Sequence, residues 1–253
     1  MIQKTYPNLS DSNRTLQVDF GSLKPIFSAI QPFTTLDDEG KLGAVFFTGG
    51  CQFRCLYCHN PQFVLPEKLT FLPVEKFTSF LKKRVGILES ITICGGEPTV
   101  HNNMIEWLRL IKSHGYRIKF DTNGMRPKEI ESYINEGLID FFAVDYKAPI
   151  DYYYTITQKN NDVKSILETI KLIVKSEVQL ELRSTLHPDL HSHRMILKMI
   201  DEVHSLGVKS YYLQHYKHVA CTIGDLKEPS IKLDLNQYLP LLELYFEKFG
   251  IRN

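Results

Sequence analysis

Three cysteines lie close together in the segment Cys51-Gln-Phe-Arg-Cys55-Leu-Tyr-Cys58. A glycine pair precedes the trio and a proline follows it, so we predict a loop rather than a helix that carries the thiols on one face. Such a loop can wrap three thiolates around one compact metal group. Zinc is one candidate, but structural zinc takes four N or S ligands, and His59, directly after Cys58, would be a strained fourth ligand.

A 4Fe–4S cluster is the other candidate for the trio. Such clusters usually take four cysteines, so three ligands would leave one iron open to another molecule. S-adenosylmethionine (SAM) can chelate an open iron through its amino and carboxylate groups. The cluster could then pass one electron to the sulfonium and release a 5′-deoxyadenosyl radical, while the protein positions and shelters the reaction. We therefore predict that Cys51, Cys55 and Cys58 hold one cluster.

Predicted strands and helices alternate along the chain from Gly43 onward. These elements must position the loop. Short runs rich in β-branched and aromatic residues predict six strands: Ala44–Thr48, Ser90–Cys94, Arg117–Phe120, Phe141–Val144, Val178–Leu182 and Ser210–Leu213. Helical spacing of apolar residues occurs at 104–111, 163–170, 196–203 and 238–245. We expect an α/β fold, a partial (β/α)6 barrel of parallel strands, with a doubly wound open sheet as the alternative.

The chain has 253 residues, and we expect an irregular lead-in over 1–42 and one domain over 43–253 that ends in a helix. Thirty Lys and Arg against 29 Asp and Glu give a net charge of +1, which excludes bulk charge as a basis for binding nucleic acid or membranes. The sequence shows no signal peptide and no apolar run near the roughly 18 residues that span a bilayer. We expect a cytoplasmic protein whose cysteines stay reduced.

Polar or ligating residues follow every predicted strand. Gly95, Gly96 and Glu97 follow the second strand, and Asp121 and Asn123 follow the third. Asp145 and Lys147 follow the fourth, Arg183 follows the fifth, and Gln214 and His215 follow the sixth. Carboxyl ends of parallel strands meet at one edge of a sheet, so we expect one site there, beside the cysteines. An Asx turn at Asp121 and ordinary ion pairs at the other charged residues are the structural alternatives.

The cysteine spacing, with Tyr57 before the last cysteine and Gly95-Gly96-Glu97-Pro98 after the next strand, resembles the radical SAM superfamily. The resemblance implies that the second motif holds the amino group of SAM and that the backbone beside Tyr57 contacts the adenine. It also implies SAM-site positions for Asp121, Asn123, Asp145, Lys147 and Arg183, and for Gln214 or His215. Cys94 and Cys221 are predicted not to be ligands.

Residues 46–61 resemble more narrowly the cluster loop of the glycyl-radical-enzyme activases. The segments 32–41, 121–124, 145–149 and 182–185 are similar to activating proteins of anaerobic ribonucleoside-triphosphate reductase, and the resemblance covers about 27–222. It implies one 4Fe–4S cluster with an open iron, SAM, a glycyl radical enzyme as partner, and an external electron donor of flavodoxin or ferredoxin type. From the balanced charge we expect no nucleic acid or membrane partner.

Two other functions stay open at this point. One is a radical SAM enzyme that acts on a small heterocycle such as a deazapurine precursor, which the cysteine loop alone does not exclude. The more distant one is a non-catalytic iron–sulfur or zinc protein, against which the absence of a fourth cysteine near the trio argues.

Overall fold

One eight-stranded sheet organises the part of the chain that this computed structural model describes, residues 23–159, 162–219, 221–229 and 231–252. Its strands are β1 Phe27–Thr34, β2 Gly43–Thr48, β3 Ser90–Gly95, β4 Arg117–Thr122, β5 Phe141–Asp145, β6 Gln179–Leu186, β7 Ser210–His215 and β8 Lys248–Arg252. They lie in chain order, with β2 to β8 parallel and β1 antiparallel to β2. This order produces a curved, partial barrel.

The helices connect successive parallel strands and cover the outside of the sheet. They are α1 Pro61–Val64, α2 Val74–Arg84, α3 Met104–Ser113, α4 Pro127–Asn135, α5 Tyr153–Thr157, α6 Lys164–Ser176, α7 His193–Ser205 and α8 Leu239–Tyr245. The apolar positions that predicted α3, α6 and α7 supply fully buried side chains such as Trp107, Ile170 and Ile200. Within the described ranges, no helix is long and apolar enough to cross a membrane.

All six predicted strands are present, which confirms six β/α units of a partial barrel. The expected irregular lead-in is wrong at Phe27–Thr34, where β1 pairs with the first parallel strand. Pro32 hides this strand in the sequence, yet an edge strand tolerates proline because one side of it needs no hydrogen bonds. The helix predicted near the C-terminus is present as α8, but the strand β8 follows it. The expectation for residues 1–22 lies outside the described residues.

Candidate active site

The cluster loop, residues 49–60, joins β2 to α1 and is held by two distant parts of the chain. The backbone N–H groups of Arg54 and Leu56 donate to the carbonyl oxygens of Thr157 and Ile156 at α5, at 2.9 and 3.0 Å. From the other side, the Gly224 N–H donates to the Leu56 carbonyl oxygen at 2.8 Å. These bonds connect the main chain of the loop to two later segments, which fix its path.

Gly224 is expected to be required for this contact, since a Cβ built there lies 2.8 Å from the Leu56 carbonyl oxygen. Gly224→Ala should therefore displace the loop, destabilise the fold by about 1–3 kcal/mol and reduce SAM affinity. Gly250→Ala is the matched control, because its added Cβ meets Tyr212 at an ordinary 3.5 Å. Thermal unfolding and anaerobic titration with SAM measure the two effects. Equal behaviour of both variants would contradict this role of Gly224.

Cys51, Cys55 and Cys58 line one cavity of about 280 Å³. The Cys51 sulfur accepts hydrogen bonds from the backbone N–H of Phe53 at 3.4 Å and from Asn123 Nδ2 at 3.8 Å. The backbone N–H of Asn60 likewise donates to Cys58. Donors of this kind stabilise the negative charge of cluster-bound sulfur, so the donor set fits a 4Fe–4S cluster.

Burial governs the proton affinity of these thiols. It raises the pKa of Cys51 to about 12 and that of Cys55 to about 11, and it also raises the pKa of Cys58. The free thiols are therefore protonated at neutral pH, and a metal group must displace the protons to bind. In the described part of the chain, no three His, Cys, Asp or Glu side chains converge closely enough to hold a single metal ion.

The glycine pair lets the end of β3 approach the cluster loop closely. Gly95 has φ +118°, and a Cβ there would lie 2.4 Å from the Thr48 nitrogen. A Cβ on Gly96 would lie 2.1 Å from the Gly50 carbonyl oxygen, which also accepts a hydrogen bond from the Glu97 N–H at 2.7 Å. Any side chain at either glycine would separate the two motifs.

The Glu97 carboxylate joins the ends of β3 and β4. Its Oε1 accepts from the N–H and hydroxyl of Thr99 at 3.1 and 2.6 Å and from the Thr122 hydroxyl at 2.7 Å. Its Oε2 accepts from the Asn123 N–H at 2.7 Å. Burial raises the pKa of Glu97, and these four donors oppose that rise. Glu97 therefore holds the loops around the cavity together, in addition to any direct contact with a ligand.

Charged side chains form a further wall of the cavity. Arg183 bridges Asp121 and Asp145 at 3.0 Å each, and Lys147 Nζ lies 3.3 Å from Asp145 Oδ2. Burial opposes the charge of Asp145, but Lys147 and Arg183 outweigh burial and hold the pKa of this carboxyl at about 2. The ordinary ion pairs considered from the sequence are thus present, and their members also line the cavity.

Twelve residues predicted for the site line this one cavity: Cys51, Cys55, Tyr57, Cys58, Gly95, Gly96, Glu97, Asp121, Asn123, Asp145, Lys147 and Arg183. Gln214 and His215 do not line it. Gln214 borders a second cavity and lies beside Thr185 on the neighbouring strand, while His215 borders a third cavity. The SAM contact expected from Gln214 or His215 at the end of the sixth predicted strand stays a prediction.

The sequence analysis missed several apolar and polar residues of the cavity wall: Phe53, Val64, Thr185 and Ile223. Ile223 belongs to none of the predicted strands or helices. It lies beyond β7 in a segment without regular period, next to Gly224, which contacts the cluster loop. Only that glycine could have indicated a close approach in the sequence.

A partial parallel barrel with three cysteines and a glycine pair facing one cavity defines a class of cofactor-dependent enzyme. Residues 45–196 match the family described as the Radical SAM superfamily, and the chain belongs to that superfamily. The family implies a 4Fe–4S cluster and SAM, which the donor set described above fits.

Individual relatives differ in their assigned functions. The chain is 36% identical over 173 residues to a protein of Methanocaldococcus jannaschii provisionally named a glycyl-radical enzyme activating enzyme, covering 66% of this chain and 70% of that one. It is 29% identical over 138 residues to a 7-carboxy-7-deazaguanine synthase of Haemophilus influenzae, covering 52% and 62%. Streptococcus suis SuiB bound to SAM shares the fold, with a TM-score of 0.63 and 14% identity over 81% of this chain and 48% of that one.

Proposed function

We propose that the protein is an iron–sulfur, SAM-dependent radical enzyme that activates a partner glycyl radical enzyme. In this reaction it removes a hydrogen atom from the α-carbon of one glycine in the partner. The observation that carries the proposal is that the three cysteines and Gly95-Gly96-Glu97 line the same cavity. The relative from Methanocaldococcus jannaschii favours an activase within the superfamily.

The residues of the cavity suit distinct roles toward the two cofactors. Cys51, Cys55 and Cys58 would hold three irons, which leaves the fourth for SAM. A cluster held there would supply the electron needed for the reductive cleavage of SAM to a 5′-deoxyadenosyl radical. Lys147 and Arg183 provide positive charge suited to the SAM carboxylate.

Four side chains would shelter the radical from water, because they give the cavity an apolar wall: Phe53, Tyr57, Val64 and Ile223. Exclusion of water from a reactive site prevents side reactions of a short-lived species. We propose that the electron comes from a separate protein of flavodoxin or ferredoxin type. Cys94 and Cys221 are the two cysteines outside the trio, too few for a second cluster of four ligands.

Glycine suits this reaction because its α-radical is delocalised between two amide groups and no side chain crowds it. An anaerobic ribonucleoside-triphosphate reductase is the first partner to test, because segments 32–41 and 145–149 resemble the activating proteins of this reductase. The second candidate is a radical SAM enzyme acting on a deazapurine precursor, which the 29% identical synthase favours. A non-catalytic zinc protein is disfavoured because no fourth cysteine lies near the trio in the sequence.

Electron paramagnetic resonance tests the proposal directly. The reduced, SAM-loaded protein is expected to generate a persistent doublet on the reductase, because a glycyl radical keeps one α-hydrogen. Deuterating the partner glycine should collapse the doublet and transfer deuterium into 5′-deoxyadenosine. The Cys55→Ala variant serves as the inactive control. The small-molecule function would replace this one if no glycyl enzyme gives the radical signal and a heterocycle instead stimulates 5′-deoxyadenosine release.

A further inference from the structure

A continuous network of charged side chains runs through the inside of the barrel. Among the described residues, ion pairs with N–O distances of 2.9 to 3.9 Å join seven members: Lys119, Asp121, Asp145, Lys147, Glu181, Arg183 and Arg252. Arg183 is the centre of the network, because it contacts all three carboxylates. Four cations against three anions leave one positive charge in surplus. One surplus charge at the cavity wall suits one ligand carboxylate, which SAM carries.

The Arg183 side chain has neighbours on two sides. It lines both the cysteine cavity and the second cavity, which Gln214 also borders. At the cysteine cavity its guanidinium meets Asp121 and Asp145, at 3.0 Å each. At the second cavity Glu181 Oε1 lies 3.9 Å from Arg183 Nη1, since residues two apart on β6 share one face of the sheet. Glu181 therefore competes with the cysteine cavity for the guanidinium.

Arg252 on β8 meets the demand of Glu181 for a partner. Glu181 is 6% exposed, and a buried carboxylate is costly unless a cation lies close to it. Arg252 Nη1 and Nη2 donate to the two Glu181 oxygens at 3.1 and 2.9 Å. Such two-point pairing of a guanidinium with a carboxylate is a strong form of ion pair. Arg252 thus satisfies Glu181 at shorter distances than Arg183 does.

Tyr212 keeps the Arg252 side chain in place for this pairing. β7 lies between β6 and β8, so Arg252 must reach across β7 to meet Glu181. The Tyr212 ring on β7 supports that reach, with its centroid 3.7 Å from Arg252 Cζ. A guanidinium is attracted to the face of an aromatic ring. Arg252 is therefore held in the orientation that Glu181 requires.

We propose that Arg252 is a positioning residue for the cofactor site. By neutralising Glu181, it leaves the Arg183 guanidinium at the cysteine cavity, where Arg183 meets the SAM carboxylate. Arg252 does not line the cysteine cavity, so its effect passes through Glu181 and Arg183. The matched family segment ends at residue 196, so β8 makes this contribution from outside that segment. The inference rests on the proposed function through the role of Arg183 toward SAM, and it needs no particular glycyl partner.

Removing the Arg252 charge tests the proposal. Arg252→Gln is expected to weaken SAM binding roughly three- to thirtyfold, because the unpaired Glu181 then attracts Arg183 and the network loses its surplus charge. Anaerobic isothermal titration measures this affinity. The cluster content should stay unchanged, and the KM for SAM should rise while kcat for 5′-deoxyadenosine release without a partner stays near the wild-type value. Lys209→Gln is the matched control, since Lys209 forms an exposed ion pair with Glu247 at 2.9 Å, beside β8 and outside the network.

Removing the competing carboxylate should restore SAM binding. The double variant Glu181→Gln/Arg252→Gln keeps one surplus positive charge, so we expect its SAM affinity to lie within about twofold of the wild type. Glu181→Gln alone should bind SAM at least as tightly as the wild type. Arg252→Lys keeps the charge but cannot form the two parallel hydrogen bonds, so it should lose less affinity than Arg252→Gln. A purely structural role of Arg252 predicts no rescue in the double variant.

Three outcomes would overturn this role of Arg252 or separate it from the proposed function. Wild-type SAM affinity in Arg252→Gln overturns it, and so does an equal loss in the double variant, because the loss would then come from a displaced β8. If Arg252→Gln does not fold, Arg252→Lys takes its place: no loss of affinity, or a loss that Glu181→Gln does not restore, overturns the proposal. These measurements omit the glycyl partner, so failure to activate any glycyl enzyme overturns only the proposed reaction.

Discussion

Replacing Cys51, Cys55 or Cys58 by alanine is expected to abolish the iron–sulfur absorption and to reduce SAM cleavage to the level seen without protein. Each thiol lines the same cavity, and a cubane cluster held by these three thiolates alone would lose its anchorage if one were removed. Iron and sulfide analysis after anaerobic reconstitution, with 5′-deoxyadenosine measured by chromatography, gives both results.

Cys94→Ala is the sharpest control for this experiment, because Cys94 lines the same cavity but lies outside the cluster loop. Cys221→Ala tests an exposed cysteine. Both variants should keep about three to four irons per chain, the content of one cubane cluster. Loss of the cluster in either variant would show that the iron assigned as open has a protein ligand.

The second large effect is expected at Glu97. Glu97→Gln should keep the cluster but weaken SAM binding roughly ten- to a hundredfold, since a charge-assisted hydrogen bond contributes about 1.5–3 kcal/mol. The structure adds a second reason. Both carboxylate oxygens accept hydrogen bonds, so the new amide NH₂ must face a donor in either orientation. Anaerobic isothermal titration with SAM measures the loss.

Two further variants divide the role of Glu97 into direct contact and loop positioning. Thr122→Val removes one donor to Glu97 while leaving the carboxylate charge, so a partial loss of SAM affinity would identify positioning. Glu243→Gln, at an exposed position on α8, is the charge-matched control and should bind SAM normally. SAM affinity that is the same in Glu97→Gln and Glu243→Gln would remove Glu97 from the proposed site.

The sequence predicted most of this site because parallel strands share one edge. Asp121, Asp145 and Arg183 are far apart in the chain, but each lies near the carboxyl end of its strand, and the structure joins them in ion pairs. Their positions near the ends of successive predicted strands were enough to predict that they lie close together. Their roles toward SAM stay predictions.

What the sequence could not predict depends on long-range geometry. β1 carries Pro32 and three consecutive exposed residues, so it lacks the alternation that marks a half-buried strand. Gln214 follows the pattern of the other strand ends, yet it faces the second cavity, because a side chain's face depends on strand register and barrel curvature. Ile223 reaches the active cavity through an irregular segment whose path no local pattern encodes.

The bond between Gly224 and Leu56 also has a consequence for how the protein is made. The two residues are 168 positions apart, so the cysteine loop leaves the ribosome long before its last support is synthesised. At translation rates of about 5–20 residues per second, the interval is roughly 8–34 s. The nascent thiols are open to oxidants and stray metal ions during this time. A cluster inserted after Gly224 has been synthesised would therefore meet a loop that is held on both sides.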